Sequence, residues 1–212
     1  MFRPKDIVSG DFYWAAEKDG RFYLAVCDST GHGVPGAFMS LLNISFLNEA
    51  INEKGFINPN QVFNHVRQRL IENISSDGAQ GGMDGILVCF DKNKREISYA
   101  AAHNAPLLVN NSIEGLDSDN MPVGLGDRKD SFTHQTISFQ PGSMLYLYTD
   151  GYADQFGGQK GKKFKRKQLE EKLLAISHKP ITEQQQELEK TFEDWKGNLE
   201  QVDDILIIGI KI

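Results

Sequence analysis

Four aspartates sit where strand-like apolar runs meet turns, and they constrain this chain more than any other feature. They are Asp11 in SGDFYW, Asp28 in FYLAVCDSTGHG, Asp150 in MLYLYTDGY and Asp203 in QVDDILIIGI. An aspartate at the end of a buried strand is costly unless its charge is compensated. Four of them brought together would repel one another unless cations lay between them. Carboxylate oxygens, joined by carbonyl and water oxygens, are the ligands that Mg²⁺ and Mn²⁺ prefer. The pattern points to strand ends gathered around a two-metal hydrolytic centre. Taken singly, each aspartate has a plainer reading: Asp-Gly after a strand is a common turn, and Asp204, beside Asp203, serves equally as a helix or strand cap. The weight lies in the set.

A chain of 212 residues suffices for one domain with a full core, so residues 1–212 read as a single unit. Its 29 acidic residues outnumber 23 basic ones, and the resulting net charge of -6 argues against non-specific nucleic-acid binding. Cys27 and Cys89 fall inside apolar runs and read as buried reduced thiols. No signal peptide and no apolar stretch of bilayer length stands out, so no membrane insertion is expected within this segment and the cytoplasm is the expected compartment. The opening Met1-Phe2-Arg3-Pro4 lies almost at a strand. That suggests an excised domain with a sensory or membrane-anchored region upstream.

The pattern of apolar residues and turn signals gives the elements. Phe12–Glu17 and Arg21–Asp28 form a hairpin turning at Lys18-Asp19-Gly20. After the loop Ser29–Gly33 a helix starts with Pro35 in its first turn. Its apolar residues, from Phe38 to Ile51, are too many for a narrow stripe, so it is expected to be well buried. Gly55 ends it, and Asn58-Pro59 opens a second helix. The Gly-rich stretch 77–82 reads as flexible. Strands follow at 85–90, 96–101 and 106–109, then a polar loop at 110–119. A strand pair, 133–139 and 143–149, turns around Pro141-Gly142. A loop rich in Gly and Lys, Phe156–Lys167, precedes helices near 167–176 and 182–195, the second polar enough to lie on the surface. The apolar run 202–212 reads as a central strand buried on both faces. Helices inserted as pairs among strands give an α+β fold with sheets inside and helices outside.

Six segments, in order along the chain, resemble the metal-dependent protein phosphatases of the phosphatase 2C superfamily, in the sporulation-protein-E-type branch of bacterial serine/threonine phosphatases. They are SGDFYW (9–14), CDSTGHGVPGAFMS (27–40), AAHNAPLLV (101–109), MPVGLG (121–126), LYTDGYADQFG (148–157) and VDDILIIGI (202–210). The resemblance implies a four-layer α-β-β-α sandwich, a central β-sandwich flanked by antiparallel helix pairs, with two Mn²⁺ or Mg²⁺ ions at one end. By position, Asp28 would bridge both ions, the Ser29 carbonyl would complete one site, and Asp11 would bind that ion directly or through water. Asp150 and Asp203 would hold the second ion. Two ions about 3.5–4 Å apart share a water, lower its pKa and neutralise the phosphoryl oxygens during in-line attack.

Neighbouring residues carry open readings. His32 is either a general acid for the leaving serine or threonine oxygen or a residue that caps or packs within its loop. Gly151 lets the chain leave Asp150 without crowding it. Asn104 reads as fixing a turn. Eukaryotic relatives hold the substrate phosphate with an arginine before the first aspartate; here only Arg3 and Lys5 stand nearby, and Lys5 is the candidate phosphate contact. Ser29 replaces a glycine common in relatives, which a carbonyl ligand tolerates. Asp84, with Asp77, could hold a weaker third ion, or Asp84 could be a loop carboxylate capped by glycine N–H groups. The resemblance implies hydrolysis of phosphoserine or phosphothreonine on a regulatory protein of the anti-sigma-factor-antagonist type, control by an upstream sensory module, and homodimerisation as an option. The competing readings are a small-phosphoester hydrolase, which the lack of a P-loop disfavours, and a catalytically silent regulatory binding domain, which would have no need of four metal-site aspartates.

Overall fold

Alternation along the strands decides which layer each side chain enters. The computed structural model describes residues 1–74 and 81–212. One sheet carries β2 (Asp11–Lys18), β3 (Arg21–Ser29), β4 (Gly82–Asp91), β5 (Glu96–Ala102) and β9 (Gln135–Ile137) in that order, with β8 (Val123–Gly124) also paired to β4. The other orders β1 (Phe2–Arg3), β13 (Ile205–Lys211), β10 (Met144–Tyr148), β6 (Leu107–Val109) and β7 (Ile113–Gly115). Both sheets are antiparallel throughout.

In β3, Tyr23, Ala25 and Cys27 face a helical layer made by α1 (Gly33–Asn48) and α2 (Pro59–Ile74). Leu24 and Val26 point the other way and meet Leu108, Leu145, Leu147 and Leu206 of the second sheet. In β10, Tyr146 and Tyr148 face outward onto α4 (Arg166–Ile176) and α5 (Ile181–Lys196). The result is the expected four-layer α-β-β-α sandwich, with one apolar core between the sheets and one under each helix pair. The hairpin at Asp19-Gly20 forms as expected, with both turn residues at positive φ, 50° and 75°.

Several expectations are corrected. The strands around Pro141-Gly142 are not a hairpin: β9 pairs in the first sheet and β10 in the second, so the chain crosses between layers at this turn. The loop 110–119 holds β7. β13 is buried on both faces only over Ile205–Ile207; past that point the two-residue β1 no longer covers its flank. The Gly/Lys loop contains a hairpin of β11 (Phe156–Gly157) and β12 (Lys162–Lys163), and a short helix α3 (Gly151–Asp154) precedes it. The flexible reading of 77–82 falls mostly outside the described residues, and Gly82 already belongs to β4.

The largest correction concerns α1, which continues as a π-helical turn over Glu49–Glu53. By length and composition the 21-residue helical stretch Gly33–Glu53 could cross a membrane, so a bilayer-length stretch does exist in the chain. Here it packs on the first sheet through Gly36, Ser40, Asn43, Phe46 and Leu47. Its excess apolar residues are not buried: Phe38 and Leu41 are each 64% exposed, beside exposed Val34 and Leu42. The first half of the inward face, Gly36, Ser40 and Asn43, is small and polar because it lies against the Gly10–Gly31 backbone and Ser29, while Phe46 and Leu47 enter the apolar core. A Cβ on Gly36 would come within 2.2 Å of the Gly31 oxygen, so only glycine fits there.

Candidate metal centre

Strand register brings three aspartates into one row. Asp11 lies opposite Asp28, and Asp28 opposite Asp84. Such neighbours have Cβ atoms about 4.5–5.5 Å apart, and like charges in these positions destabilise a sheet. Asp28 and Asp84 continue the alternation of Val26 and Ile86, so the row points into the space between the sheets, at the end where the apolar core stops.

The second sheet adds two more. Asp150 follows β10 and precedes α3, while Asp203 precedes β13; the pairing of Tyr148 with Ile207 sets these two strand ends side by side. Gly151 is what permits the approach, since a Cβ there would lie 1.9 Å from the Asp204 oxygen. Thr149 joins the sheets: its Oγ1 donates to Asp11 Oδ2 at 2.6 Å and accepts from Leu206 N at 3.0 Å. Asp204 proves to be a buried cap of the N-terminal segment, accepting from Lys5 N at 2.7 Å and Gly10 N at 2.8 Å.

The electrostatics follow from this crowding. Burial, then the neighbouring carboxylates led by Asp11, holds Asp28 far above the usual carboxylate range. Asp11 is raised in the same direction, first by burial, against the lowering effect of the Thr149 hydrogen bond. Asp150, at the wetter rim, is pushed up to about 6 by desolvation, Asp154 and Asp203. An all-oxygen donor set whose members raise one another fits hard divalent cations, which would remove the repulsion. Among the described residues no three of these side chains form a ready-made cluster. Mg²⁺ keeps several waters and takes one or two protein carboxylates, so it does not need a closed cage of side chains.

Asp28, Thr30, His32, Asp84 and Asp203 line one open hollow of about 300 Å³. A larger one of about 580 Å³ lies between α2 and residues 124–131, lined by Arg67, Arg128 and Lys129 with Glu72 as its one carboxylate. Ser29 turns its buried hydroxyl toward α1, accepting from Ser40 Oγ at 3.1 Å and Asn43 Nδ2 at 3.0 Å. His32 is exposed at the N-terminus of α1, makes no capping hydrogen bond, and holds Nδ1 3.4 Å from Asp6, so the capping alternative is not realised. Lys5 borders a different hollow, with Arg3 and Gln201, and Arg3 pairs with Glu193. Asp77 lies outside the described residues.

Asp84 is a strand residue whose partner is His103, Nδ1 to Oδ1 at 2.8 Å, so glycine N–H capping is not what holds it. His103 escaped the sequence reading, which gave the turn to Asn104. The left-handed residue is His103 itself, at φ 57°. The available signal was its place just past β5, the strand that pairs with the Asp84 strand at Gly85–Ala102. Thr149 was missed as well; as the residue after an apolar run, it looked like an ordinary strand end.

With this geometry in place, similarity to known proteins becomes specific. The family model of stage II sporulation protein E (SpoIIE) matches residues 18–212. The chain belongs to the SpoIIE family. Its fold is shared with the SiaA-PP2C domain of Pseudomonas aeruginosa, at TM-score 0.89 and 27% identity over 100% of this chain and 83% of that one. It is also shared with the PP2C phosphatase domain of SpoIIE from Bacillus subtilis, at TM-score 0.78 and 18% identity over 100% and 61%. Phosphoserine phosphatase RsbU of Bacillus subtilis (strain 168) is 22% identical over 155 residues, which is 71% of this chain and 44% of RsbU, so the chain spans less than half of that relative. Family and fold are those of PP2C-type protein serine/threonine phosphatases, which are metal-dependent as a class. The family match begins after Asp11, whose position in the row rests on the β2–β3 register and on its hydrogen bond from Thr149.

The raised carboxylates fix a pH signature. Their folded pKa values exceed the unfolded value near 4, so from about pH 4 upward the folded chain binds more protons than the unfolded one. Stability in chelator should therefore fall as pH rises from 5 to 8. Saturating Mg²⁺ should flatten the slope, and Asp28→Asn should raise the chelated protein's Tm at pH 8. Thermal melts across that range check this; a chelated Tm independent of pH would contradict the carboxylate row.

Proposed function

We propose that this chain is a metal-dependent phosphoprotein phosphatase that hydrolyses phosphoserine or phosphothreonine on a regulatory protein. The observation that carries the reading is the convergence of Asp11, Asp28 and Asp84 from one sheet with Asp150 and Asp203 from the other. Bound there, two Mn²⁺ or Mg²⁺ ions would supply a water of lowered pKa and charge to neutralise the phosphoryl oxygens. Asp28 would bridge the two positions, with Asp11 and the Ser29 carbonyl completing one and Asp150 and Asp203 the other. Thr149 would hold the Asp11 carboxylate in one orientation through its 2.6 Å hydrogen bond. His32, exposed on the rim of the same hollow, would give a proton to the leaving serine or threonine oxygen. Asp84, oriented by His103, suits a weaker third ion. Lys5 is retained only as a phosphate contact that would have to swing in from the adjoining hollow.

The substrate class rests on likeness. RsbU is named a phosphoserine phosphatase, and a solved structure that joins RsbU and RsbW domains, Rv1364c from Mycobacterium tuberculosis, has the fold of this chain at TM-score 0.74 and 20% identity. A regulatory partner of the partner-switching kind fits both. A catalytically silent binding domain and a small-phosphoester hydrolase remain the alternatives.

Release of phosphate from a phosphoserine peptide should require added Mn²⁺ or Mg²⁺ and stop with chelator. Asp28→Asn should lose roughly a hundredfold or more, at least as much as Asp150→Asn or Asp203→Asn, since a metal site supplies several kcal/mol. Asp84→Ala should cost less than about tenfold, as expected of a peripheral ligand. Turnover that survives Asp28→Asn at saturating metal would remove the assignment.

Regulation would act through α1. Its inner face is bonded through Ser40 and Asn43 to Ser29, the last residue of β3 and next to Asp28, and its outer face exposes Phe38 and Leu41. A module packed on that outer face would shift the helix and with it the bridging carboxylate, and about 1 Å of misplacement can cost roughly a hundredfold. Turnover of the 212-residue chain alone should be low and should rise when a partner module engages the exposed face of α1; rates unchanged by Phe38→Ser and Leu41→Ser in the presence of such a module would exclude the switch.

A further inference from the structure

Residues 160–167 read KGKKFKRK, which places six of the 23 Lys and Arg residues in eight positions, with no carboxylate, in a chain of net charge -6. All six are exposed. Lys163 pairs with Asp154 at 2.6 Å and Arg166 with Glu170 at 2.7 Å; among the described residues Lys160, Lys162, Lys165 and Lys167 form no ion pair. A charge run is usually no more than a solvated face. Three features set this one apart.

The first is its shape. Lys160, Lys162, Lys163 and Lys165 surround an open hollow of about 410 Å³ with Trp195 at its base. The second is rigidity. Trp195 Nε1 donates to Gln155 O at 3.1 Å, its ring meets Phe164 edge-on at 5.2 Å, and Gly158 N donates to Trp195 O at 2.8 Å. The third is attachment to the metal centre from both sides. Phe164 N and Lys165 N donate to Gln155 O and Ala153 O, at the end of the four-residue helix that starts beside Asp150. The fully buried Gln155 side chain accepts from Val202 N at 3.2 Å, next to Asp203. Four helical residues rise about 6 Å, so the Phe164–Lys165 end of the basic run stands about 10 Å from Asp150, with Lys160 farther out in the turn of the hairpin.

We propose that this hairpin is a docking surface for an acidic segment flanking the phosphorylated residue of the protein substrate. The proposal rests on the phosphatase reading above. An extended chain advances about 3.4 Å per residue, so acidic side chains about three to five positions from the phosphoserine would reach the lysines while the phosphate lies at the metal centre. A basic strip beside a carboxylate-lined hollow draws a negatively charged partner to the correct edge. Attraction of this kind acts mainly on encounter and on KM, and fades with salt.

The test uses the whole chain and two fluorescent phosphoserine peptides of equal length, one with four glutamates at positions three to six after the phosphoserine, the other with glutamines there. Anisotropy is read in chelator, so that binding is independent of turnover. The acidic peptide should bind at least tenfold more tightly at about 50 mM salt and lose that advantage at about 500 mM. The exposed triple variant K160E/K162E/K167E should abolish the preference and raise KM for the acidic peptide, leaving kcat and the hydrolysis of para-nitrophenyl phosphate unchanged; the neutral K160S/K162S/K167S should fall between. Equal affinity for both peptides, or a preference that survives charge reversal, would overturn the proposal. So would binding of phosphatidylglycerol vesicles without binding of the acidic peptide. Peptide binding that keeps its acidic preference, with no metal-dependent release of phosphate from either the peptide or para-nitrophenyl phosphate at saturating Mn²⁺, would remove the phosphatase reading and with it the substrate role, leaving only a surface that binds acidic peptides.

Discussion

Like-charge repulsion among carboxylates at one end of a β-sandwich is the constraint on which the rest of this structure turns. Antiparallel register sets Asp11, Asp28 and Asp84 directly opposite one another, and the pairing of β10 with β13 adds Asp150 and Asp203 from the facing sheet. Folding alone gains nothing from such an arrangement. The surrounding residues absorb part of the cost: Thr149 donates to Asp11 and His103 bonds Asp84, while buried Asp204, held by two backbone N–H groups, adds to the repulsion on Asp11. What those contacts leave uncompensated is the charge that divalent cations would neutralise.

The apolar core makes the arrangement possible. Leu24, Val26, Ile86 and Val88 meet Leu145, Leu147 and Leu206 between the sheets, and two or three residues along the chain from Val26, Ile86, Leu147 and Leu206 stand Asp28, Asp84, Asp150 and Asp203. Because side chains alternate along a strand, a slip of one residue would turn the aspartates out under the helices and the aliphatic residues with them. Packing of the core therefore fixes the direction of the acidic row.

Much of this was legible in the sequence. The hairpin around Asp19-Gly20, both helix pairs and the strand-end aspartates carry strong local signals: turn chemistry, helical periodicity and dense apolar runs. The sequence reading went astray where tertiary contact overrides them. The apolar richness of α1 suggested burial, yet its inner face must fit against the backbone of Gly10 and Gly31, which selects Gly36, Ser40 and Asn43 and leaves Phe38 and Leu41 outside. Pro141-Gly142 resembled a hairpin turn, and no local signal tells such a turn from a crossing between sheets. His103 was hidden because its role depends on a neighbouring strand, and nothing local shows that the KGKKFKRK run is tied through Gln155 to Val202, the residue before Asp203, and to the end of the short helix that follows Asp150.

The central claim is that Asp28 lies between two cation positions. Electron paramagnetic resonance of the chain loaded with two equivalents of Mn²⁺ tests it most directly. The account predicts the spectrum of an exchange-coupled Mn²⁺ pair, collapsing in Asp28→Asn to the six-line signal of isolated or free ions. Isolated Mn²⁺ signals in the wild-type chain at full loading, or a coupled pair that persists in Asp28→Asn, would contradict it.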